Sequence, residues 1–389
     1  MDKGSRSYFP CLLMIVIMLS MPLTNLSTNE STDLSMDFES STSARAQTTW
    51  SGVVELTESY TVNVTDELII APCTLVKLPI EARIFVEGRL SIEGDIACPV
   101  TISQVNTGLH YGIQFNQSSY GRGSVIDNLS IQSSMYGITI YGSNPTLNNI
   151  SIINPSRVGV DLFSSANPTI NDLLVDQAGR GFTYADWRYG IGLSVGAGSS
   201  PIVERAVLTD ARIRGLNIWG DSGGIYRQIT IDNITAEGAL AISAGVWVED
   251  SRPLITNVTV DKSDYGILIR HIDDGGYTRA VIRDCVVTNS MYRGIYVDKA
   301  NHTNFTNYET ADFTNTTVLG TGGPNAKTAG IGFAAIEVNA TGAWFENTLI
   351  ENSTTVGLRL YFVDSSTTFR NLTIVNSGDP GQGAHEAGL

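Results

Sequence analysis

Gly245-Val-Trp-Val248, Ile255-Thr-Asn-Val-Thr-Val260, Gly266-Ile-Leu-Ile269, Ile282-Arg-Asp-Cys-Val-Val287, Gly294-Ile-Tyr-Val297: in this stretch two short patterns alternate, and their alternation decides the fold. The first arm is Gly-h-x-h, where h is apolar. Working outward, it recurs at Gly112, Gly137, Gly159, Gly190, Gly215, Gly330 and Gly357, with successive glycines 21 to 36 residues apart. The second arm recurs as Leu147–Ile152, Ile170–Val175, Phe345–Ile350 and Phe369–Ile374, often after a proline such as Pro145, Pro168, Pro201 or Pro253. Both arms have the two-residue period and β-branched content of strands, and nothing between them is long or periodic enough for a helix. The chain is therefore expected to be all-β. Strands of three to five residues cannot bury a face alone. Stacking the same strand from every repeat buries a continuous core and pairs each backbone N–H and C=O with the turns above and below. Unequal intervals then mean loops of unequal length.

A row of amides and carboxylates occupies one position of the second arm: Asn128, Asn149, Asp172, Gln228, Asn257, Asp284, Asn315, Asn347 and Asn371, with Arg205 the exception. Short polar side chains tolerate unusual dihedrals and hydrogen-bond stacked neighbours, so the row predicts a sharp bend repeated on every turn.

From about residue 51 to the end, these features resemble the right-handed parallel β-helix of the pectin-lyase-like superfamily, in particular its non-catalytic surface proteins. The resemblance implies a right-handed parallel β-helix solenoid of about ten or more rungs, a rod of roughly 50 Å at about 4.8 Å per rung. Residues 50–105, with Trp50-Ser-Gly52, Leu68–Pro72, Thr74–Leu78 and Ile84–Gly94, look like its entry turns. Residues 106–380 carry the repeats, and 381–389 form a Gly-rich tail or a truncated end.

Composition bounds the rest. Of 389 residues 42% are hydrophobic and 16% charged, and 38 are glycine. A charge content below the usual ~25%, with abundant glycine, argues for a turn-rich fold and against disorder. A net charge of −15 repels phosphate backbones, and no basic stripe is interleaved with aromatics, so nucleic acid is not an expected partner. Lys3 and Arg6 precede the apolar run Cys11–Leu19, which reads as a signal peptide over 1–22. The run is shorter than the roughly 18 residues of a spanning helix, so membrane contact is expected only if this segment stays uncleaved. Ala44-Arg45-Ala46 is a second candidate cleavage site. Residues 23–49 read as a disordered spacer, since 12 of the 26 residues from Thr24 to Thr49 are Ser or Thr. The expected location is secreted or cell-surface. Cys73 and Cys98 lie 25 residues apart, close to one repeat, and are expected to form a disulfide; Cys285 fills a core slot.

The resemblance implies that any chemistry sits on the outer face of one sheet, where x of Gly-h-x-h points. That row runs Gln114, Thr139, Asp161, Gly192, Asn217, Trp247, Leu268, Tyr296, Gly332 and Arg359. Where the strands enter their loops, neighbouring rungs offer Trp219 and Asp221, Glu249 and Asp250, Arg270, His271, Asp273 and Asp274, then Asp298, Lys299 and His302. The expected patch binds a sugar chain: Trp219, Trp247 and Tyr296 stack on it, and Asp221, Glu249, Asp250, Asp273, Asp274 and Asp298, with Arg270, hydrogen-bond it or hold Ca²⁺. The blander alternative is that the aromatics cover the sheet under a loop and the acids only solubilise. No cofactor is required beyond that optional Ca²⁺.

Catalysis is disfavoured. Asp273-Asp274 and Arg212-Ile213-Arg214 echo a polygalacturonase-like set, but in the wrong order and without Asn-Thr-Asp or Gly-His-Gly. A lyase-like reading rests on two acidic dipeptides with Arg270. Sequons are abundant; those at Asn128, Asn149, Asn257, Asn315 and Asn371 belong to the bend row, leaving Asn116, Asn301 and Asn304 as the better glycan acceptors. The expected protein is an exported β-helix serving as a structural or binding module for polysaccharide or other surface components. The alternative is a lyase, hydrolase or epimerase, with a deep groove walled by the loops around 298–329.

Overall fold

The computed structural model describes residues 45–180, 189–236, 242–272, 278–299, 311–322, 334–340, 342–354, 356–361, 363 and 365–378. The signal segment, the spacer up to residue 44, Asp273, Asp274, the sequons at Asn301 and Asn304, and the tail 381–389 lie outside them.

The chain winds as a parallel β-helix. A 12-stranded sheet runs from Tyr60–Val62 to Val356–Tyr361, and a 16-stranded sheet from Ala46–Trp50 to Thr368–Val375. Each described Gly-h-x-h arm lies in a strand of the first and each second arm in a strand of the second. Sequence neighbours do not pair; strands one turn apart do, in parallel and in register. Ile138, Val160, Leu193, Leu216, Val246, Ile267, Ile295, Ile336 and Leu358 thus form one inward column over nine rungs, all buried. Each apolar side chain covers the one below, which is how strands this short acquire a core. Phe313, Phe345 and Phe369 stack in the same way, with centroids 4.8 and 5.1 Å apart.

Most second-arm strands from Val125 onward are eight to ten residues long rather than three to five, because the strand continues through its bend. At that bend Asn128, Asn149, Asp172, Arg205, Gln228, Asn257, Asp284, Asn315, Asn347 and Asn371 all have φ between +51° and +58°. Left-handed backbone costs an L-residue about 1–2 kcal/mol, least for Asn and Asp. The side-chain ladder offsets it: Asn315 Nδ2 donates to Asp284 Oδ1 (2.9 Å), Asn347 to Asn315 (3.1 Å) and Asn371 to Asn347 (2.9 Å). Arg205 fits the row by reaching down to Asp172 with two hydrogen bonds of 2.6 and 2.8 Å.

A second left-handed row follows, five residues after each member of the first: Ser133, Asn154, Gln177, Asp210, Asn233, Lys262, Asn289, Gly320, Asn352 and Asn376, with φ from +49° to +64°. Its mixed chemistry hid it in the sequence. Asn347→Val should cost about 2–3 kcal/mol, from the left-handed φ of a β-branched residue and two broken ladder bonds. Asn347→Gly should cost less than half as much, because glycine keeps the dihedral and loses only the ladder. Urea denaturation of the two variants checks the order.

One boundary needs correction. Residues 46–49 are not spacer: Ala46–Trp50 pairs in parallel with Asp66–Ile70, and Trp50 closes that end of the core. Cys73 and Cys98 are joined by a disulfide, Cα atoms 4.7 Å apart on adjacent turns. Cys285 is a buried free thiol, its pKa pushed up to about 12 by burial, an inert core group. Asn116 is half-buried, and its Oδ1 accepts from Gln114 Nε2 at 2.8 Å. Among the described residues no helix is long and apolar enough to cross a membrane.

Candidate functional site

The outer face of the 12-stranded sheet carries one column in strict register: Gln114, Thr139, Asp161, Ser194, Asn217, Trp247, Leu268, Tyr296, Glu337 and Arg359. Two members differ from the expected row. Gly190-Ile-Gly-Leu offers two registers, and the strand takes Gly192, not Gly190, as its Gly-h-x-h glycine. Ser194 therefore stands where Gly192 was expected. In the later turn the arm is Ala335-Ile-Glu-Val338, so Glu337 replaces Gly332, which lies outside the described residues.

The register correction assembles a site. Asp161, Ser194 and Asn217 lie side by side on three consecutive rungs, along the middle of a pocket of about 340 Å³. Tyr136, Val158 and Ile191 line one side; Phe163 and Trp219 line the other. The hollow exists because the middle rung is small: Ser194 lies between two larger side chains, and Gly196 lies beneath Trp219. A Cβ at Gly196 would run into the Trp219 indole, so that ring is seated against bare backbone. Trp219 meets Phe163 edge-on at 6.3 Å, and Phe163 stacks on Tyr141 at 5.4 Å.

Asp161 is only 5% exposed, and its Oδ1 has no hydrogen-bond partner. Burial raises its pKa to about 7, opposed by a hydrogen bond with Ser194. Desolvation penalises the charged form, so this carboxyl keeps its proton up to the neutral range, where acid and carboxylate are about equally populated. Asn217 Oδ1 accepts from Arg214 Nη1 at 2.7 Å, which turns the amide nitrogen away from that bond.

The C-terminal half of the same face is built differently. Trp247 is 4% exposed: Arg214 lies 3.8 Å over its ring, and its Nε1 donates to Glu249 at 3.1 Å. It packs with Ala244 and Leu268, flanked by Tyr265 and Tyr296. Trp247 is therefore not the stacking platform expected of it; its ring is already covered by protein. Burial lowers the Arg214 pKa to about 10. Arg293 sits 4.6 Å over Tyr296 and pairs with Glu337 at 2.9 Å, and Arg359 reaches the same carboxylate at 3.5 Å. Burial raises the Tyr296 pKa, helped by Asp298. Arg270 approaches Asp298 at 3.5 Å. Asp250 is buried and holds His271 Nδ1 at 2.8 Å and the Ile272 amide at 3.1 Å. Asp221 is exposed, 4.0 Å from Arg252.

Among the described residues the expected acids thus do not converge on an ion: Asp221, Asp250 and Asp298 each lie by a basic partner, Glu249 accepts from Trp247, and no group of three or more His, Cys, Asp or Glu could hold a metal. Of the described members of the expected patch, only Trp219 lines the pocket. Asp161 and Asn217 stood in the outward row but not in the patch, and Ser194 was missed.

A right-handed beta helix region model matches residues 90–238 and 244–386. The chain belongs to the right-handed beta helix family. No curated protein matches it at a significant level. Among solved structures it is similar to an alginate lyase from Paenibacillus sp. str. FPU-7 (12% identity, TM-score 0.44, covering 69% of this chain and 94% of that one). It is also similar to the catalytic domain of a GH87 α-1,3-glucanase in complex with nigerose (14%, 0.44, 83% and 68%), and to the A-module of the Azotobacter vinelandii mannuronan C-5 epimerase AlgE4 (12%, 0.47, 83% and 91%). At such identities a shared architecture transfers no activity.

Proposed function

We propose that this chain is an exported, secreted or cell-surface β-helix that binds polysaccharide, and that the Asp161 pocket holds a sugar unit of it. One observation carries the reading: three polar side chains that can donate or accept, Asp161, Ser194 and Asn217, lie between aromatic walls formed by Tyr136, Phe163 and Trp219. Sugars present an apolar C–H face and a polar rim, and a pocket of aromatic walls with a few placed polar groups meets both. The negative charge of the chain and the lack of a basic side chain among the described residues that line the pocket favour an uncharged ligand over nucleic acid or a polyanion.

Trp219→Ala should weaken oligosaccharide binding about tenfold or more, the ~1.4 kcal/mol of one buried aromatic contact. Tyr361→Ala removes an exposed aromatic five rungs away, roughly 24 Å along the sheet, and should leave binding unchanged. Glycan-array and calorimetric comparison of the two variants tests the site; equal binding by wild type and the Trp219 variant removes it.

A second reading, a carbohydrate-active enzyme, draws on the raised pKa of Asp161, the property of a general acid. Two-carboxylate glycoside chemistry needs a partner acid, and Asp161 is the only carboxyl among the described residues that line the pocket. Product analysis after incubation with neutral and acidic polysaccharides distinguishes the two: new reducing ends or unsaturated uronates that vanish in Asp161→Ala would make it an enzyme.

A further inference from the structure

We propose that the pocket is a proton-gated site for an uncharged sugar unit: Asp161 as a carboxylic acid seats the ligand, and its ionisation releases it. The inference rests on the carbohydrate-binding reading above and adds its regulation.

The geometry comes first. Asp161 is almost wholly covered, yet Oδ1 meets no donor. A buried carboxylate is normally held by several donors or a cation. Here Ser194 is its one hydrogen-bonding neighbour among the described residues. Two rungs on, the Asn217 amide nitrogen has no acceptor among the described residues, its oxygen being taken by Arg214. The acid form of Asp161 offers one O–H donor and one acceptor, Ser194 either, and Asn217 a donor. Sugar hydroxyls, which both give and take, can satisfy all three. A ligand carboxylate would enter a covered site with no lysine, arginine or histidine among the described residues of its lining, at a large desolvation cost.

The groups around Asp161 leave its charge unanswered. On the preceding strand stand Tyr136, Tyr141 and, directly in register, the uncharged Thr139, and on the strand after it Ser194. Beyond that, Arg214 is turned to Asn217 and to the Trp247 ring. At the strand entries Arg157 donates to the Tyr136 hydroxyl (2.9 Å) and lies 4.4 Å over the Tyr189 ring. Arg83, three rungs back from Asp161, lies 4.3 Å over Tyr111 and bonds to Gln114. Among the described residues none of these cations forms an ion pair with Asp161.

A sugar that fills the pocket displaces the water that still solvates a carboxylate there, so the acid form is the one it can cover. Burial already holds the pKa at about 7; seating the ligand raises it further, and binding takes up a proton. Above pH 7 affinity should then fall by up to about tenfold per pH unit.

The test is calorimetry of the full chain and of Asp161→Asn at pH 5.5, 7.0 and 8.5, with neutral gluco-, manno- and galacto-oligosaccharides of two to six units and with oligouronates. In wild type, a neutral oligosaccharide should bind at least tenfold more weakly at pH 8.5 than at 5.5, with proton uptake measured in buffers of different ionisation enthalpy. In Asp161→Asn, which cannot ionise, the binding that is observed should not vary with pH. Wild-type binding independent of pH, a pH response that persists in the Asn variant, or preference for the oligouronates overturns the inference and leaves the carbohydrate reading standing. Failure of both proteins to bind any oligosaccharide at any pH overturns the carbohydrate reading itself.

Discussion

Asp161→Asn is expected to gain about 4 kcal/mol in stability over wild type on going from pH 4 to pH 8. The folded state holds the Asp161 proton up to about pH 7, whereas an ordinary carboxyl gives it up near 3.8. Between those values the folded protein binds more protons than the unfolded chain. Wild-type stability therefore falls as pH rises through that window and levels off above it, the reverse of a salt-bridged aspartate. The substituted asparagine has the same shape and no proton to lose, so comparing the two proteins at each pH cancels the titration of every other group. Urea denaturation at pH 4, 5.5, 7 and 8 would read the difference. Parallel stability curves would mean that Asp161 ionises normally and that the pocket is wetter than its burial indicates.

A cost of this kind is expected where a site is kept for function. A well-packed Asn, Ser or Thr at position 161 would continue the neighbouring polar column, beside Thr139, Ser194 and Asn217, without a desolvated acid. Among the described residues the carboxyl stays without an ion pair, while Glu337, Asp250 and Asp298 in the C-terminal half lie by Arg or His partners. One face of one sheet thus divides into a covered, internally neutralised half and a half with an open hollow and an uncompensated group.

The architecture was legible because it is written as a periodic signal: β-branched pairs two residues apart, a glycine before each, and a left-handed amide row. The pocket was not, and a shift of one or two positions was enough to hide it. Gly190-Ile-Gly-Leu fits the repeat at either glycine, and only pairing with Val158–Phe163 selects the second; the first choice erased Ser194 and left Asp161 and Asn217 apart. At Ala335 the glycine itself is gone, so Glu337 and its arginine cluster were invisible. The burial of Trp247 depends on Arg214, 33 residues earlier in sequence and one rung away in space, folding over the ring. Such contacts belong to side-chain conformation between rungs, which no periodicity records.

The glycine column sets the most severe constraint on substitution. Gly266 stacks between Gly245 and Gly294, and its backbone is not left-handed, so glycine is not needed there for its dihedral. It is needed for room. A methyl at Gly266 would overlap Val287 Cγ1 in the core and the Gly294 carbonyl oxygen on the next rung, and would press on Ser290 Oγ at 3.0 Å. The Val287 contact could yield to a rotamer change, but the carbonyl belongs to the inter-rung ladder, and moving it separates the Tyr265–His271 and Arg293–Lys299 strands. Gly266→Ala should therefore cost about 3 kcal/mol or more, beyond the usual range for one added carbon because backbone must shift. Ala335 occupies the same column and shows that a methyl is accepted where the neighbouring rung leaves space, so Ala335→Gly should change stability by only about 1 kcal/mol. Thermal and urea denaturation of the two single variants would measure both. If Gly266→Ala unfolds with the wild-type midpoint, rung spacing is soft enough to absorb a carbon, and the glycine column reflects something other than steric closure of the coil.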